Sequence, residues 1–206
     1  MRYLFSVLFI LLTFLGSSPL LAAPPVILVL GDSLSAGYGI DREHGWVRLL
    51  QDRLKQSGYA YQVVNASVSG DTTDSGLSRL PYALAQHHPA IVIIALGGND
   101  GLRGLSLAQL KDNLTRLVTL SKQAGARVLL CRERIPPNLG PVYSAKFSEV
   151  YTSVARQQQV PLVPYFLKGV ADAPALMQDD GIHPNAQGQP GMLDNVWPVL
   201  KPLLVK

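Results

Sequence analysis

The sequence predicts an α/β protein, a three-layer α/β/α sandwich with about five parallel strands. Short apolar runs alternate along the chain with longer segments in which apolar residues recur at helical spacing. One of these runs, AIVIIALG at residues 90–97, is apolar throughout, which is typical of a strand buried on both faces. Strands that alternate with helices usually lie parallel, because each helix carries the chain back to the start of the next strand.

The same criteria predict the individual elements in chain order. Strands are predicted at residues 26–30, 61–67, 90–97, 127–131 and 160–166. Helices are predicted at residues 44–57, 74–88, 107–124, 142–158 and 188–204. Gly58 and Gly125 are helix stop signals, Ser106 is a predicted N-cap, and Pro81 is expected to interrupt the second helix.

The first 22 residues have a composition of their own. Arg2 is followed by an uncharged apolar run over residues 3–15 and by small residues at Ala22 and Ala23. The run is shorter than the ~20 residues of a membrane-spanning helix, and its flank suits signal peptidase. We therefore expect residues 1–22 to be a cleaved signal peptide and residues 23–206 to form one domain, periplasmic or secreted, without stable membrane insertion. An uncleaved membrane anchor is the alternative.

Charge and cysteine content exclude some partners and bonds. The net charge is +4, but Lys and Arg form no run or aromatic-flanked stripe of the kind that binds nucleic acid. The single cysteine, Cys131, rules out an intramolecular disulfide, and its surroundings favour a buried apolar thiol. We expect a monomer that acts on a small molecule and has no nucleic-acid partner.

Polar residues follow the predicted strands where each strand ends. GDS at residues 31–33 follows the first strand, and NASVSGD at residues 65–71 follows the second. GGND at residues 97–100 follows the third strand, and DDGIHP at residues 179–184 comes after the fifth. The carboxyl ends of parallel strands meet at one edge of a sheet, where open α/β proteins bind their ligands. We therefore expect the four loops to form one site.

Ser33, on the turn after the first strand, has three interpretations. It can be the N-cap of a helix. It can belong to a phosphate-binding loop, but no complete G-x-x-x-x-G-K-[ST] or G-x-G-x-x-G motif is present and Asp32 would repel a phosphate. It can also be a nucleophile, which needs an exposed position on a rigid turn and a base nearby. The strand end supplies that position, so the base must come from elsewhere in the chain.

Among the four histidines, His183 has the surroundings expected of a catalytic base. Asp180 lies three residues earlier and can accept the Nδ1 hydrogen bond, which leaves Nε2 free to take a proton from a serine. The spacing does not exclude Asp179 from this role, and a solvated histidine in a turn is the alternative interpretation. No H-E-x-x-H or other ligand spacing occurs, so no metal site is predicted.

Hydrolysis of an acyl bond develops negative charge on an oxygen, which backbone N–H groups and side-chain amides stabilise. The backbone N–H groups of Ser33 and Gly70 and the side-chain amide of Asn99 lie on the strand-end loops and can serve as these donors. Asn99 alone would be interpreted as a turn residue. The coincidence of all these groups on four loops indicates acyl transfer.

These four blocks resemble those of the SGNH, or GDSL, hydrolase family, in order and over essentially the whole chain after residue 22. The matching segments are GDSLSAGYG, VVNASVSGDTT, LGGNDGLRG and DGIHPN. Within the family they are most similar to the bacterial multifunctional acyl-CoA thioesterase/arylesterase/lysophospholipase enzymes. The resemblance implies a flavodoxin-like sheet and no cofactor. It also implies Ser33 as nucleophile, His183 as base, Asp180 as orienting acid, and an oxyanion hole made of Ser33, Gly70 and Asn99.

The expected function is therefore that of a secreted serine esterase. Such an enzyme cleaves carboxylic esters, including arylesters and lysophospholipids, and acyl thioesters, through an acyl-serine intermediate. A carbohydrate O-deacetylase of the same family is the alternative. A binding module without activity is a third hypothesis, but it predicts a missing catalytic group and none is missing.

One segment departs from the family pattern. LLCRERIPPN places Arg132, Glu133 and Arg134 where family members usually run apolar into a Pro-Pro-Asn loop. We expect this triplet to be solvated or ion-paired. Otherwise it borders the acyl pocket and alters substrate choice.

Overall fold

Five parallel strands form one sheet with a flavodoxin-like order. The computed structural model describes residues 23–135 and 139–206, so the predicted signal peptide at 1–22 and the Pro-Pro-Asn segment at 136–138 lie outside it. The strands are β1 (Val26–Gly31), β2 (Gln62–Asn65), β3 (Ile91–Ala95), β4 (Arg127–Cys131) and β5 (Leu162–Val163). They lie in the order β2-β1-β3-β4-β5, and every neighbouring pair is parallel. The predicted α/β architecture is confirmed.

Helices cover both faces of this sheet. They are α1 (Ser33–Ala36), α2 (Trp46–Gln56), α3 (Thr73–His87), α4 (Gly98–Leu102), α5 (Leu107–Gln123), α6 (Pro141–Gln158) and α7 (Gln189–Leu200). Short 3₁₀ turns lie at Arg42–His44, Pro174–Leu176 and Lys201–Leu203. Among residues 23–135 and 139–206, no helix has the length and apolar character needed to cross a membrane.

Successive residues of β1 point to opposite faces of the sheet and enter two separate cores. Leu28 and Leu30 pack with apolar residues of α3, α5 and α6. Ile27 and Val29 pack with apolar residues of α2 and α7. The sheet is therefore buried on both sides, as the unbroken apolar run at residues 90–97 predicts.

Proline explains two of the differences from the prediction. The predicted interruption at Pro81 is wrong, because α3 runs through it. Pro81 lies on the exposed face of the helix, where water can replace the missing hydrogen bond. The fifth strand has two residues and not the seven predicted at 160–166. Pro161 and Pro164, on either side of it, have no N–H to donate to the neighbouring strand.

A buried tyrosine of α6 forms a hydrogen bond with the backbone just after β3. Tyr151 of α6 is fully buried, and its hydroxyl donates a 2.8 Å hydrogen bond to the carbonyl of Leu96. The next residue, Gly97, has φ +115°, and a Cβ there would collide with the Tyr151 hydroxyl. The contact therefore fixes the turn that leads from β3 into α4, where the predicted site residue Asn99 lies.

Tyr151→Phe should lower the free energy of unfolding by about 1–2 kcal/mol, because the buried Leu96 carbonyl loses its donor. Tyr143→Phe is a matched control on the same helix. Its hydroxyl donates to the Leu105 carbonyl at an exposed position, so its loss should stay below about 0.5 kcal/mol. Urea unfolding followed by circular dichroism gives both values, and equal losses would contradict the role given to the buried bond.

Candidate active site

Ser33 lies on the sharp turn between β1 and α1. Asp32 is the N-cap of α1, and its side chain accepts a 3.0 Å hydrogen bond from the backbone N–H of Leu34. The N-cap interpretation of Ser33 is therefore wrong, because Asp32 fills that position and Ser33 is the first helical residue. The helix ends after one turn at Gly37, which has φ +76°. This short turn leaves the Ser33 hydroxyl free to face the loops at the sheet edge.

Ser33, His183 and Asp180 form one continuous chain of contacts. Ser33 Oγ lies 2.8 Å from His183 Nε2, and His183 Nδ1 lies 2.6 Å from Asp180 Oδ2. An ionised carboxylate can only accept hydrogen bonds, so Nδ1 carries the proton and Nε2 is available to accept from the serine. The neighbouring Asp179, which the sequence spacing left open, is exposed, and Asp180 makes the contact with the imidazole.

The second oxygen of Asp180 shapes the loop that carries His183. Asp180 Oδ1 accepts hydrogen bonds from the backbone N–H groups of Ile182 and His183, each at 2.9 Å. Partial burial disfavours the charged carboxylate. The hydrogen bonds from the backbone and ring of His183 and from Ile182 outweigh this effect and lower the pKa of Asp180 from 3.8 to about 2. Asp180 is therefore ionised at neutral pH.

Gly70 lies in the loop after β2 and contributes a backbone donor to the same edge of the sheet. Its φ of +85° is a conformation that glycine adopts without strain. Arg103 donates a 2.9 Å hydrogen bond to the Gly70 carbonyl and so fixes the orientation of this segment. Within the described part of the chain, the N–H of Gly70 has no acceptor, so it is available to a ligand.

Asn99 lies in α4 and presents its side-chain amide to the site. Its Nδ2 atom lies 2.9 Å from the Asp71 carbonyl and 3.4 Å from Asp32 Oδ2. The amide nitrogen carries two hydrogens, of which the first is well placed on Asp71 and the second makes only a long contact with Asp32. A negatively charged substrate oxygen can recruit that second hydrogen.

A cavity of about 210 Å³ brings the predicted site residues together. Ser33, Gly70, Asn99 and His183 all line it. Its apolar surface comes from Leu34, Tyr38, Leu102, Leu167 and Ile182. The remaining histidines, His44, His87 and His88, do not line it.

Tyr38 is a site residue that the sequence did not single out. Its ring packs against the His183 imidazole with centroids 4.7 Å apart, and Gln178 donates a 2.8 Å hydrogen bond to its carbonyl. Gln178 also bonds the Pro184 carbonyl at 3.1 Å, so it joins the loop after α1 to the loop of His183. A tyrosine after a glycine-rich turn carries no signal for this role, because the contact arises only in the folded protein.

Asp100 is a second residue that sequence reasoning missed. It is buried, and its carboxylate accepts hydrogen bonds from the backbone N–H and the hydroxyl of Thr73, at 2.8 and 2.5 Å. Asn113 of α5 donates to the same Thr73 hydroxyl at 3.1 Å. This network ties α4 to α3 and α5, and thereby fixes the position of Asn99.

Asp32 is a buried carboxylate directly beneath the cavity, only 2% exposed. Burial raises its pKa from 3.8 to about 6, and the charge of Asp71 adds to the increase. The hydrogen bond from Leu34 and the charge of His183 oppose the increase without cancelling it. Asp32 therefore keeps its proton in the folded protein at pH values where the unfolded chain has lost it.

The charged triplet after β4 occupies three different environments. Arg132 lies over the ring of Tyr165, 4.2 Å from its centroid, and Arg134 pairs with Asp172 at 2.7 Å. Glu133 contradicts the expectation of a solvated or ion-paired triplet, because it is 2% exposed and has no hydrogen-bond partner among the described residues. Its side chain is buried although the arginines on either side of it are more exposed.

Cys131 is buried in the core, as the sequence predicts. Burial raises the pKa of the Cys131 thiol well above its usual value, so the thiol is protonated and unreactive. Across residues 23–135 and 139–206, no group of three or more His, Cys, Asp or Glu side chains could hold a metal ion.

A serine, a histidine and an aspartate in hydrogen-bond sequence, beside N–H donors at the edge of an α/β sheet, define a serine hydrolase site. Residues 29–189 match the model of the GDSL-like lipase/acylhydrolase family, and the chain belongs to that family. The resemblance to the GDSL hydrolases that the sequence motifs indicate is confirmed.

Relatives within the family support the same class of reaction. The chain is 55% identical over 183 residues to Esterase TesA of Pseudomonas aeruginosa, covering 89% of this chain and 91% of that protein. It is 45% identical over 183 residues to thioesterase 1/protease 1/lysophospholipase L1 of Escherichia coli K12, covering 89% and 86%. The protein is therefore an ester-hydrolysing enzyme.

Solved structures agree with the fold. The crystal structure of TesA has a TM-score of 0.86 at 55% identity and covers 87% of this chain and 99% of its own. The psychrotrophic esterase EstA from Pseudoalteromonas sp., inhibited by monoethylphosphonate, has a TM-score of 0.82 at 41% identity and covers 86% and 97%. The expected three-layer α/β/α architecture is confirmed.

Asp32→Asn should change how stability depends on pH. Folded Asp32 titrates with a pKa of about 6 against 3.8 in the unfolded chain, so its favourable contribution is complete below pH 3.8 and is lost as pH rises to 6. The free energy of unfolding of the variant minus that of wild type should therefore be roughly 3 kcal/mol greater at pH 8 than at pH 3. Urea unfolding at both pH values measures this gain, and a pH-independent effect would contradict it.

Proposed function

We propose that this enzyme is a serine esterase that works through an acyl-enzyme on Ser33, with His183 as general base and Asp180 as the acid that orients it. The observation that carries the proposal is the chain of contacts from Ser33 Oγ through both nitrogens of His183 to Asp180 Oδ2. A serine hydroxyl is a weak nucleophile at neutral pH, and a base within hydrogen-bond distance activates it. This chemistry requires no cofactor.

In the first half of the proposed reaction, Ser33 Oγ attacks the carbonyl carbon of the substrate while His183 Nε2 accepts the hydroxyl proton. The bond from the carbonyl carbon to the leaving oxygen or sulfur then breaks, and His183 gives the proton to the leaving alcohol or thiol. In the second half, water attacks the acyl group by the same route and releases the carboxylic acid. The ionised Asp180 fixes the imidazole tautomer and stabilises the imidazolium that forms twice in this cycle.

Negative charge develops on the former carbonyl oxygen in both halves of the reaction. We assign its stabilisation to the backbone N–H groups of Ser33 and Gly70 and to the side-chain amide of Asn99. Each donor of this kind is worth about 3 kcal/mol. The long 3.4 Å contact between Asn99 and Asp32 supports the assignment, because the oxyanion can replace a weak acceptor at little cost.

The proposed substrates are carboxylic esters with a single acyl chain, including arylesters and lysophospholipids, and acyl thioesters. The relatives are named esterase, arylesterase and thioesterase 1/protease 1/lysophospholipase L1. The apolar surface that Leu34, Leu102 and Leu167 give the cavity suits an acyl chain better than a sugar. We propose that the enzyme acts as a monomer, because one chain supplies Ser33, His183, Gly70 and Asn99 to the same cavity.

We further propose that residues 1–22 are a signal peptide and that the mature enzyme, residues 23–206, is a single hydrolase domain in the periplasm or outside the cell. The support is the apolar run at residues 3–15 and the small residues Ala22 and Ala23 at the expected cleavage point.

Ser33→Ala should reduce kcat/KM for p-nitrophenyl butyrate by about 10⁴-fold or more without changing the unfolding temperature, because the nucleophile is lost and the fold is kept. Ser69→Ala is the matched control, since Ser69 lines the same cavity, and its activity should stay within about threefold of wild type. Ester hydrolysis retained by Ser33→Ala would assign the nucleophile to another residue.

The same assay extended to p-nitrophenyl esters from acetate to palmitate tests the substrate class. A serine-dependent optimum at butyrate or longer supports the acyl esterase. Activity confined to acetate would support a carbohydrate O-deacetylase instead, with acetylated sugars as the next substrates.

Asp180→Asn should lower kcat by about 10³-fold, because the amide cannot hold the imidazole in the required tautomer and cannot stabilise its charge. Asp179→Asn changes the adjacent exposed residue in the same way and should leave kcat within about twofold. Steady-state kinetics on one ester measures both variants. A greater loss in Asp179→Asn would reassign the orienting acid.

A further inference from the structure

A second cavity, of about 400 Å³, adjoins the cavity around Ser33. The two cavities share three lining residues, Glu133, Arg134 and Leu167. The outer cavity has an apolar surface of its own, formed mainly by Ile135, Tyr165 and Phe166. Glu133 therefore lies at the junction between the space where the chemistry occurs and a larger space beyond it.

Glu133 is unusual because it is buried at this junction without a partner. It is 2% exposed, and neither carboxyl oxygen has a hydrogen-bond partner among the described residues. Leaving a buried polar group unpaired is costly, and such groups persist where a ligand or a function uses them. The position thus has an unused capacity for hydrogen bonding that faces substrate space.

The surroundings of Glu133 favour a neutral carboxylic acid. Asp32 and Glu133 both approach Gly98. A Cβ at Gly98 would lie 3.3 Å from Asp32 Oδ2 and 3.9 Å from Glu133 Oε2. Burial, and then the charge of Asp32, raise the pKa of Glu133 well above its usual value. Tyr151 and Cys131 also lie near Glu133, and both are protonated because burial raises their pKa values. A neutral carboxyl can both donate and accept a hydrogen bond.

The geometry of acyl transfer directs the acyl chain towards this junction. The tetrahedral carbon is bonded to Ser33 Oγ, to an oxyanion that faces Gly70 and Asn99, and to a leaving group that must lie near His183 to be protonated. The fourth substituent is the acyl chain, and the wall left for it contains Glu133, Arg134 and Leu167. A long acyl chain passes this wall and continues into the outer cavity.

We propose that Glu133 is a specificity-determining residue that selects acyl groups carrying a hydroxyl or keto oxygen over unsubstituted long alkyl chains. The proposal rests on the acyl-enzyme function given above to Ser33. An alkyl chain that covers Glu133 leaves its carboxyl without a partner, whereas a substituted chain supplies one. Sites with buried polar groups discriminate strongly against ligands that leave those groups unpaired.

Glu133→Met tests the proposal, because methionine is apolar and has similar length and flexibility. The measured quantity is the ratio of kcat/KM for p-nitrophenyl dodecanoate to that for the butyrate. This ratio should rise by about tenfold or more in Glu133→Met. Glu133→Gln keeps a neutral hydrogen-bonding group, and Glu149→Met changes an exposed glutamate of α6 that lines neither cavity. Both should keep the wild-type ratio within about threefold.

A second comparison tests the substituted chains directly. Wild type should prefer the 3-hydroxy or the 6-hydroxy derivative of p-nitrophenyl hexanoate to hexanoate itself, and Glu133→Met should lower the greater of these two preferences by about tenfold. Thermal unfolding of each variant checks the fold, and Glu133→Leu replaces the methionine variant if the latter does not fold. A loss of stability alone would not alter a ratio between two substrates.

The outcomes distinguish the role of Glu133 from the esterase function on which it rests. Unchanged chain-length and hydroxyl ratios in the apolar variants, with activity still dependent on Ser33, overturn the role of Glu133 and leave the esterase function intact. Hydrolysis that does not depend on Ser33 overturns the acyl-enzyme function on which the role of Glu133 rests.

Discussion

The parallel pairing of β1 with β3 is the constraint on which the site depends. After β1 the chain forms β2 along one edge of β1 and then crosses over to form β3 along the other edge. The loops that follow β1 and β3 therefore lead in opposite directions and leave a crevice between them. The register pairs Gly31 with Ala95, which places Ser33 and Asn99 a few residues beyond two neighbouring strand ends. Backbone hydrogen bonding thus sets the distance between the serine and the amide before any side chain contributes.

Buried carboxyl groups surround this crevice, and they differ in how well they are paired. Asp100 is fully used, since it accepts two hydrogen bonds from Thr73. Asp32 has one good donor in Leu34 and one distant donor in Asn99. Glu133 has none among the described residues. Pairing therefore decreases from the carboxyl group that supports α4 to the one in the wall along which we place the acyl chain, as expected where stability is given up for function.

Much of the fold and the site could be predicted because the signals are local. The apolar run at residues 90–97 marks a strand covered on both faces, and the loops at residues 31–33 and 97–100 follow strand ends, where parallel sheets bind ligands. The spacing alone left Asp179 and Asp180 open as partners of the histidine, and the family resemblance is what predicted Asp180. The course of α3 through Pro81 needed the structure, since packing of the buried face outweighs one missing hydrogen bond.

The residues that were missed act only through tertiary contacts. Tyr38 packs on an imidazole far along the chain, and Asp100 bonds to a different helix. Glu133 was misinterpreted for a related reason. Two arginines flank it, which is typical of a solvated surface, but the Glu133 side chain is buried while both arginines are more exposed. The charge pattern alone therefore gave the wrong prediction for Glu133.

The position of His183, the proposed general base, depends on the whole fold more than that of Ser33, the proposed nucleophile, does. Ser33 is fixed by a strand and a one-turn helix of its own, whereas His183 is 150 residues away on an exposed loop. Asp180 Oδ1 and Gln178 hold that loop from within. The next helix, α7, begins at Gln189, whose side chain accepts a 3.0 Å hydrogen bond from the first residue of α2. Closure of α7 against α2 therefore determines where the imidazole meets the serine, so packing far from the cavity controls the 2.8 Å contact on which the proposed chemistry depends.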